Sequence, residues 1–395
     1  MVVDNEFTAD SRVLNESRAL TCCGHKVRVL CFSFGSRPGH ENLQGIEVHR
    51  IHISRKIKNI LFAFTGICPL YHYFWHLHIA RFTRKFNINA IHAHDLYMAR
   101  SAGKVARKLG IPMVLDLHEN YPEAIMNYRW ATTFPGNLIA RPRKWKKLEE
   151  RYLSQASSII TLSESFTGDL RKKYPALESK NFLVYPNVPD VDEMLGYSIQ
   201  NVDLPGDDRF FLFYFGIISK RRGIYTCLEA LRIMIRNHRN IKLVLAGPID
   251  AHEKQEFYRA IDSEGIRENV VYIPWIDINL LPSYLERIHV CLSPILKNDQ
   301  HESGVANKVF QYMLFEKPVI VSDCAPQSAI INEGKCGLVF ESNNSAGLAE
   351  KIMELYTNGD LCKEMGQRGK KLVLAKYNLR NYGEKLCNLY SDPGT

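Results

Sequence analysis

Two stretches in the second half of this 395-residue chain gather residue types suited to holding phosphate. The first is Tyr214-Phe-Gly-Ile-Ile-Ser-Lys-Arg-Arg-Gly-Ile224, which reads as a loop leaving a strand and entering a helix. Gly216 and Gly223 permit close backbone approach, while Lys220, Arg221 and Arg222 supply positive charge. A cationic loop at a helix N-terminus offers both N–H donors and charge to an anion. The same residues would also make a plain solvated basic turn. The second stretch is Ser303-Gly-Val-Ala-Asn-Lys-Val-Phe-Gln-Tyr-Met313, followed by Glu316-Lys-Pro-Val-Ile-Val-Ser-Asp-Cys324. Ser303 and Gly304 open a polar loop, and Asn307 and Lys308 add donors where a helix begins and its dipole favours negative charge. Gln311 follows Asn307 by four residues and shares its helix face, where an amide suits ribose hydroxyls. Phe310, Met313 and Leu314 read as core contacts.

These segments need a scaffold, and short apolar runs supply one. Candidate strands in the first half are Lys26–Phe32, Ile46–Ile51, Ala90–Ala93, Met113–Leu117, Ser158–Leu162 and Phe182–Val184. Segments of helical spacing, such as Met98–Leu109 and Trp145–Ala156, lie between them. After a Pro-containing, acidic stretch the alternation resumes with Phe210–Phe215, Ile241–Ala246, Val270–Ile273, Val290–Leu292, Pro318–Val321 and Leu338–Phe340. The helical patterns between these are Tyr225–Ile235, His252–Asp262, Leu281–Arg287, Lys308–Phe315 and Leu348–Tyr356. Strand–helix alternation predicts α/β architecture with parallel sheets covered on both faces. The expected organisation is an N-terminal Rossmann-like domain over 1–188, a linker over 189–208, a second Rossmann-like domain over 209–370, and a helical tail over 371–395 that packs locally or crosses back. Ligands bind outside the carboxyl ends of such strands, so a cleft between two such domains is the expected active site.

Composition narrows the ligand class without choosing it. The chain is 46% hydrophobic and 24% charged, with a formal net charge of +9, which favours anionic ligands. The modest basic excess and the lack of a stacking motif argue against nucleic acid. The ten cysteines are scattered with no C-x-x-C pairing, so the expectation is reduced thiols in a reducing compartment, without a disulfide framework or a cysteine metal site. The N-terminus lacks the basic start and apolar run of a secretory signal, and the expected location is cytoplasmic. Ile60–Ile79 is the most apolar window, but Pro69 and three histidines interrupt it. It reads as one or two helices with an aromatic face, flanked by Arg55, Lys56, Lys58, Arg81, Arg84 and Lys85. That pattern fits peripheral contact with a membrane surface, or simple packing on the sheet. No G-x-G-x-x-G occurs, which weakens a nicotinamide-dependent reading.

The order of motifs resembles the retaining GT-B glycosyltransferases, especially glycosyltransferase family 4. The resemblance rests on Asp10-Ser-Arg-Val-Leu14 with Gly24-His-Lys-Val27, His92-Ala-His-Asp95, Asp116-Leu-His-Glu119, Tyr185-Pro-Asn187, the Gly216–Gly223 loop, Leu245-Ala-Gly247, and Asn307-Lys through Gln311-Tyr-Met to Lys317-Pro-Val-Ile and Ser322-Asp323. It implies two Rossmann-like domains facing across a cleft. It also implies transfer from a nucleotide-diphosphate sugar to a glycan or lipid-linked acceptor hydroxyl, with retention of configuration and no cofactor or metal. The family's glycine-flanked loop carries two basic residues for the donor diphosphate; the second matches Arg222, and the first falls on Ile217. Lys220, Arg221 or Lys308 would compensate. The second of the family's paired glutamates matches Gln311, and the first falls at Ser303, beside Glu302. A histidine that reaches the donor sugar matches His118. His94, Asp95 and Glu119 fall on the acceptor side. The Asp190-Val-Asp192 spacing binds metal–nucleotide complexes in a different glycosyltransferase fold, and its place in the expected linker argues against that role here. Alternatives within the same fold are a sugar-nucleotide 2-epimerase and a catalytically inactive nucleotide-binding homologue.

Overall fold

The computed structural model describes residues 1–391 apart from 9, 135, 207 and 264. The chain divides into two compact units. One holds Met1–Pro186 together with the chain from Arg380 onward; the other is Asn187–Leu379.

In the first unit, β1 (Arg28–Ser33), β2 (His40–Leu43) and β3 (Ile46–His52) pair in the order β1-β3-β2. β4 (Ile91–His94), β5 (Met113–Asp116), β6 (Ser158–Thr161) and β7 (Asn181–Val184) pair in sequence order. Val2 bridges the two groups through parallel pairing with Leu30 and with Ala93. Every pairing is parallel except β2 with β3. β4, β5 and β6 are buried along their whole length, as expected of parallel strands covered on both faces. β2 was not expected, because its sequence His-Glu-Asn-Leu has no apolar alternation and its side chains lie at the surface of an antiparallel edge.

In the second unit, β8 (Phe210–Phe215), β9 (Ile241–Ala246), β10 (Val270–Ile273), β11 (Val290–Ser293), β12 (Val319–Ser322) and β13 (Gly337–Phe340) form one parallel sheet in the order β10-β9-β8-β11-β12-β13. These bounds fall within a residue or two of the expected runs, because each strand is a short apolar stretch cut off by polar turns. The order reverses direction at β8, so the β8 and β11 carboxyl ends flank the switch point, where doubly wound sheets bind ligands.

Two segments differ from expectation. Residues 189–208 fall inside the second unit and contain the helix Val191–Leu195, capped by Asp190, whose side chain accepts from the Glu193 N–H at 3.1 Å. The chain end divides. Helix Gly359–Ala375 belongs to the second unit, whereas most of helix Leu379–Ser391 belongs to the first. There Cys387 forms a disulfide with Cys23, at the end of helix Ser11–Cys22. This corrects the expectation of thiols throughout. The partners are 364 residues apart, and only the return of the chain to the first unit brings them together. Ile60–Ile79 is divided between helices Arg55–Ala63 and Leu70–Lys85, with Tyr71, Trp75 and Ile79 buried in the core of the first unit.

Candidate functional site

The loop after β8 is shaped by two close backbone approaches. Gly223 has φ +74°, and a Cβ there would lie 1.7 Å from the Pro294 carbonyl oxygen. Gly247, at the end of β9, has φ +137°, and a Cβ would lie 2.3 Å from the Gly216 carbonyl oxygen. Only glycine fits either position, so the loops after β8, β9 and β11 lie backbone to backbone. Lys220–Arg222 form a short turn leading into helix Ile224–Ile235.

Lys308 sits in the first turn of helix Asn307–Leu314 and is buried. Its Nζ lies 3.5 Å from the centre of the Tyr214 ring, close to Gly216. Burial, with the Arg222 charge adding to it, holds its pKa well below the usual lysine value. His301 feels the same neighbours: burial first, then Arg222, Arg221 and Lys308, bring it down to about 4, against a hydrogen bond from its Nδ1 to the Leu296 carbonyl at 2.6 Å. Arg222, Lys308 and His301 thus lie within electrostatic reach of one another, near the carboxyl ends of β8 and β11.

The other expected residues divide. Asn307 is exposed at the helix start, and Gln311 is half-buried one turn on. Ser303 Oγ donates to the Gln300 carbonyl at 2.6 Å, and Gly304 is extended. The Glu302 carboxylate accepts the Ala325 N–H at 2.9 Å, at the N-terminus of helix Ala325–Gly334. Arg221 contributes its carbonyl to the Leu296 N–H at 3.1 Å. Lys220 turns aside: its Nζ pairs with Glu256 at 2.6 Å, and its N–H donates to Glu253 at 2.6 Å. Arg222 is the cation whose charge acts on Lys308. Sequence reading did not single out Tyr214, the platform under Lys308, or Gln327, whose buried amide ties the Ser293 and Ser322 carbonyls at 3.2 and 3.0 Å and so joins the ends of β11 and β12.

In the first unit, a second set lies at the ends of β4 and β5. Asp116 is fully buried and accepts from Arg12 through Nε at 2.8 Å and Nη2 at 2.6 Å. Arg12 also donates to the Tyr185 carbonyl at 2.8 Å. His118 Nε2 lies 2.8 Å from the same Asp116 carboxylate and 3.0 Å from His94 Nδ1. Burial opposes the His118 charge, but the Asp95 and Asp116 carboxylates outweigh it and push its pKa up to about 10. His94 goes the other way: burial brings it down to about 4. Burial lifts Asp95 to about 6, against the pull of His118. Asp116 is driven well below the usual carboxylate range because Arg12 and His118 overcome its burial. An imidazolium at His118 and a neutral imidazole at His94 therefore share one carboxylate. The His118 side chain keeps 19% of its surface exposed, whereas those of Asp116 and His94 keep none.

Asp95 has φ +69°, a left-handed conformation that costs a non-glycine residue energy and is often retained at functional sites. Its carboxylate accepts the Tyr97 hydroxyl at 2.8 Å, and Glu119 accepts the Tyr128 hydroxyl at 2.7 Å. Behind His94, His92 stacks at 4.4 Å and hydrogen-bonds Tyr390 at 2.8 Å, so the returning C-terminal helix supports this set from beneath. The ligand atoms of Glu16, His92, His94 and Asp116 lie within 4.8 Å of one another, but Arg12 already supplies positive charge to Asp116. Arg12 and Asp116 both lie within motifs recognised in the sequence, yet nothing in their spacing announced the pair.

Two units built largely on parallel sheets define an architecture that hosts several kinds of enzyme, and the relatives of this chain select among them. Residues 198–372 match the family described as Glycosyl transferases group 1, and residues 9–193 match Glycosyltransferase Family 4. The chain is 22% identical over 298 residues to Alpha-D-kanosaminyltransferase of Streptomyces kanamyceticus, covering 73% of each chain. The sucrose-phosphate synthase structure from Thermosynechococcus elongatus superposes with a TM-score of 0.76 at 16% identity, covering 96% of this chain and 92% of that one. The Anabaena protein Alr3699/HepE in complex with UDP superposes with a TM-score of 0.71 at 13% identity, covering 99% and 98%. The chain belongs to the GT-B glycosyltransferases, enzymes that transfer sugar, and within them it resembles family 4.

Proposed function

We propose that the chain moves a sugar from a nucleoside-diphosphate donor to a hydroxyl of a glycan or lipid-linked acceptor, with retention of configuration and without a metal ion. The observation that carries this reading is Lys308, a buried lysine with no ion pair among the described residues, set beside Arg222 at the sheet switch point. A buried cation held below its usual pKa is costly unless an anion completes it. A diphosphate is such an anion, and the start of helix Asn307–Leu314 adds N–H donors to it. The UDP complex of the Anabaena relative supports the donor class.

Glycosyl transfer breaks the bond between the anomeric carbon and the diphosphate. Negative charge grows on the departing phosphate, where Arg222 and Lys308 stabilise it. Gln311 binds ribose hydroxyls. His118, held as an imidazolium by Asp116 and Asp95, serves as a hydrogen-bond donor to a sugar oxygen, not as the base. The leaving phosphate takes the acceptor proton, and His94, Asp95 and Glu119 serve the acceptor side. Both family descriptions are of transferases, and the epimerase alternative gains nothing from them.

The test is Arg222→Ala. Transfer is expected to fall at least about tenfold, equivalent to about 1.4 kcal/mol of barrier, with the melting temperature retained and with chelator leaving the wild-type rate unchanged. Wild-type transfer by the variant would remove Arg222 from the site. NMR of donor alone, showing conversion without acceptor, would favour epimerisation.

A further inference from the structure

The first unit exposes an apolar face that its own fold leaves uncovered. Helix Arg55–Ala63 has no buried residue, and Ile57 and Ile60 point to solvent, with Phe64 continuing the same stripe. A surface helix ordinarily turns its apolar stripe inward. Across from it, Trp130, Phe134 and Leu138 are exposed, Phe134 at 80% and Leu138 at 62%. The two sides form one surface. The Trp130 and Phe62 rings lie 6.4 Å apart, and Lys144 Nζ donates to the Gly66 carbonyl at 2.8 Å. Gly66 is pressed so close to the Ile139 and Ala140 carbonyls that a Cβ would lie 2.7 Å from each.

Charge says what covers this face. Residues 48–94 and 124–148, the stretches that include it, contain thirteen Lys and Arg and no Asp or Glu, although Arg50 among them is buried against Glu41. The whole chain carries only +9, so the remainder is net negative. Lys56, Arg141 and Arg143 are exposed. Asp4, Glu6 and Glu123 pair with Lys58, Arg55 and Lys146 at 3.0, 3.9 and 2.6 Å, but cations outnumber these acids, and apolar side chains among cations match the chemistry of an anionic lipid surface: apolar groups enter the acyl boundary while cations meet phosphate. An apolar face for a protein partner has no need of so one-sided a rim.

We propose that this face, centred on Ile57, Ile60, Phe64, Trp130, Phe134 and Leu138, docks the enzyme on an anionic bilayer. No helix is long and apolar enough to cross a membrane, so the contact lies in the interface plane. None of these residues belongs to the proposed transfer machinery, so docking and donor binding fail independently.

The test is co-sedimentation of the whole protein with vesicles of phosphatidylcholine, with and without phosphatidylglycerol. The protein is expected to pellet with the anionic vesicles, and less so as salt rises. Phe134→Asp with Leu138→Asp, and separately Lys56→Glu with Arg143→Glu, are each expected to lower the bound fraction by about tenfold or more. Trp275→Ser, at an exposed tryptophan of the other unit, is expected to change nothing. Melting temperatures confirm that each variant folds. Wild-type protein staying in the supernatant, or both double variants pelleting like wild type, would overturn the proposal. So would a wild-type dimer that these substitutions split and that ignores vesicles, since the occupant would then be a second copy.

Discussion

Replacing Asp116 by Asn separates the structural work of this carboxylate from its electrostatic work. In the native protein it carries both Arg12, through two hydrogen bonds, and His118, at 2.8 Å. Asparagine keeps the shape and removes the charge. Arg12, 6% exposed at its side chain, then faces an amide and keeps buried Glu16, 3.2 Å away, as a carboxylate partner, which offsets part of the loss. Breaking a buried ion pair by removing one partner costs about 3–5 kcal/mol. His118 loses one of the two carboxylates that raise it and keeps Asp95 and the burial that lowers it, so its pKa falls from about 10 toward the ordinary value of 6.5. Native His118 binds protons more tightly than in the unfolded chain. Its stabilising contribution is therefore full below pH 6.5 and lost as pH rises through about 10. Denaturation followed from pH 6 to 10 is expected to show the wild type losing stability relative to the variant across that window, the other titrating groups being common to both. Long-range nitrogen NMR of labelled histidines reads the charge directly: His118 stays an imidazolium at pH 8 in the wild type and titrates at a lower pH in the variant, where Asp95 remains to raise it. A wild-type His118 that titrates near 6.5 would refute the shared-carboxylate account and would restore His118 as a candidate base.

Other outcomes follow from the same geometry. Filling the Lys308 pocket with a nucleoside diphosphate raises the depressed lysine pKa, so binding is expected to take up protons at pH values between the free and bound pKa; calorimetry across pH in buffers of different ionisation enthalpy measures this, and zero uptake at every pH up to the ordinary lysine value would place Lys308 outside the site. Gly223→Ala sets a methyl against the Pro294 carbonyl at a left-handed position, costing about 1–2 kcal/mol for the backbone alone and displacing Arg222; donor binding should weaken more than stability falls, as seen by comparing affinity with melting temperature. Cys23→Ser with Cys387→Ser releases the staple on helix Leu379–Ser391, so limited proteolysis is expected to cut that helix faster than in the oxidised wild type.

The strands were legible because each is an apolar run that a parallel sheet buries on both faces; β8, β9 and β10 begin and end where the sequence alone put them. β2 escaped notice because an exposed edge asks for no apolar alternation. Within the site, Arg222 and Lys308 could be named from loop chemistry, since glycines, cations and a helix start lie close together in the chain. Lys220 lies in the same loop, yet charge counted along a loop does not reveal that Glu256 waits on a neighbouring helix. Arg12 and Asp116 are 104 residues apart, and Cys23 and Cys387 are 364 apart; such pairs exist only once the chain has folded back. The aromatic stretch was read as either core or membrane-facing. It is divided, with Trp75 and Tyr71 inside and Ile60, Phe64, Ile67 and Tyr73 outside.

The central claim is that the second unit grips a pyrophosphate between Arg222 and Lys308. Isothermal titration of the whole protein with UDP, other nucleoside diphosphates and the corresponding nucleosides tests it most directly. At least one diphosphate is expected to bind at least about tenfold more tightly than its nucleoside, a difference of about 1.4 kcal/mol, with Arg222→Ala and Lys308→Ala each removing most of that margin. Equal affinity for diphosphate and nucleoside, or a margin that survives both substitutions, would contradict it.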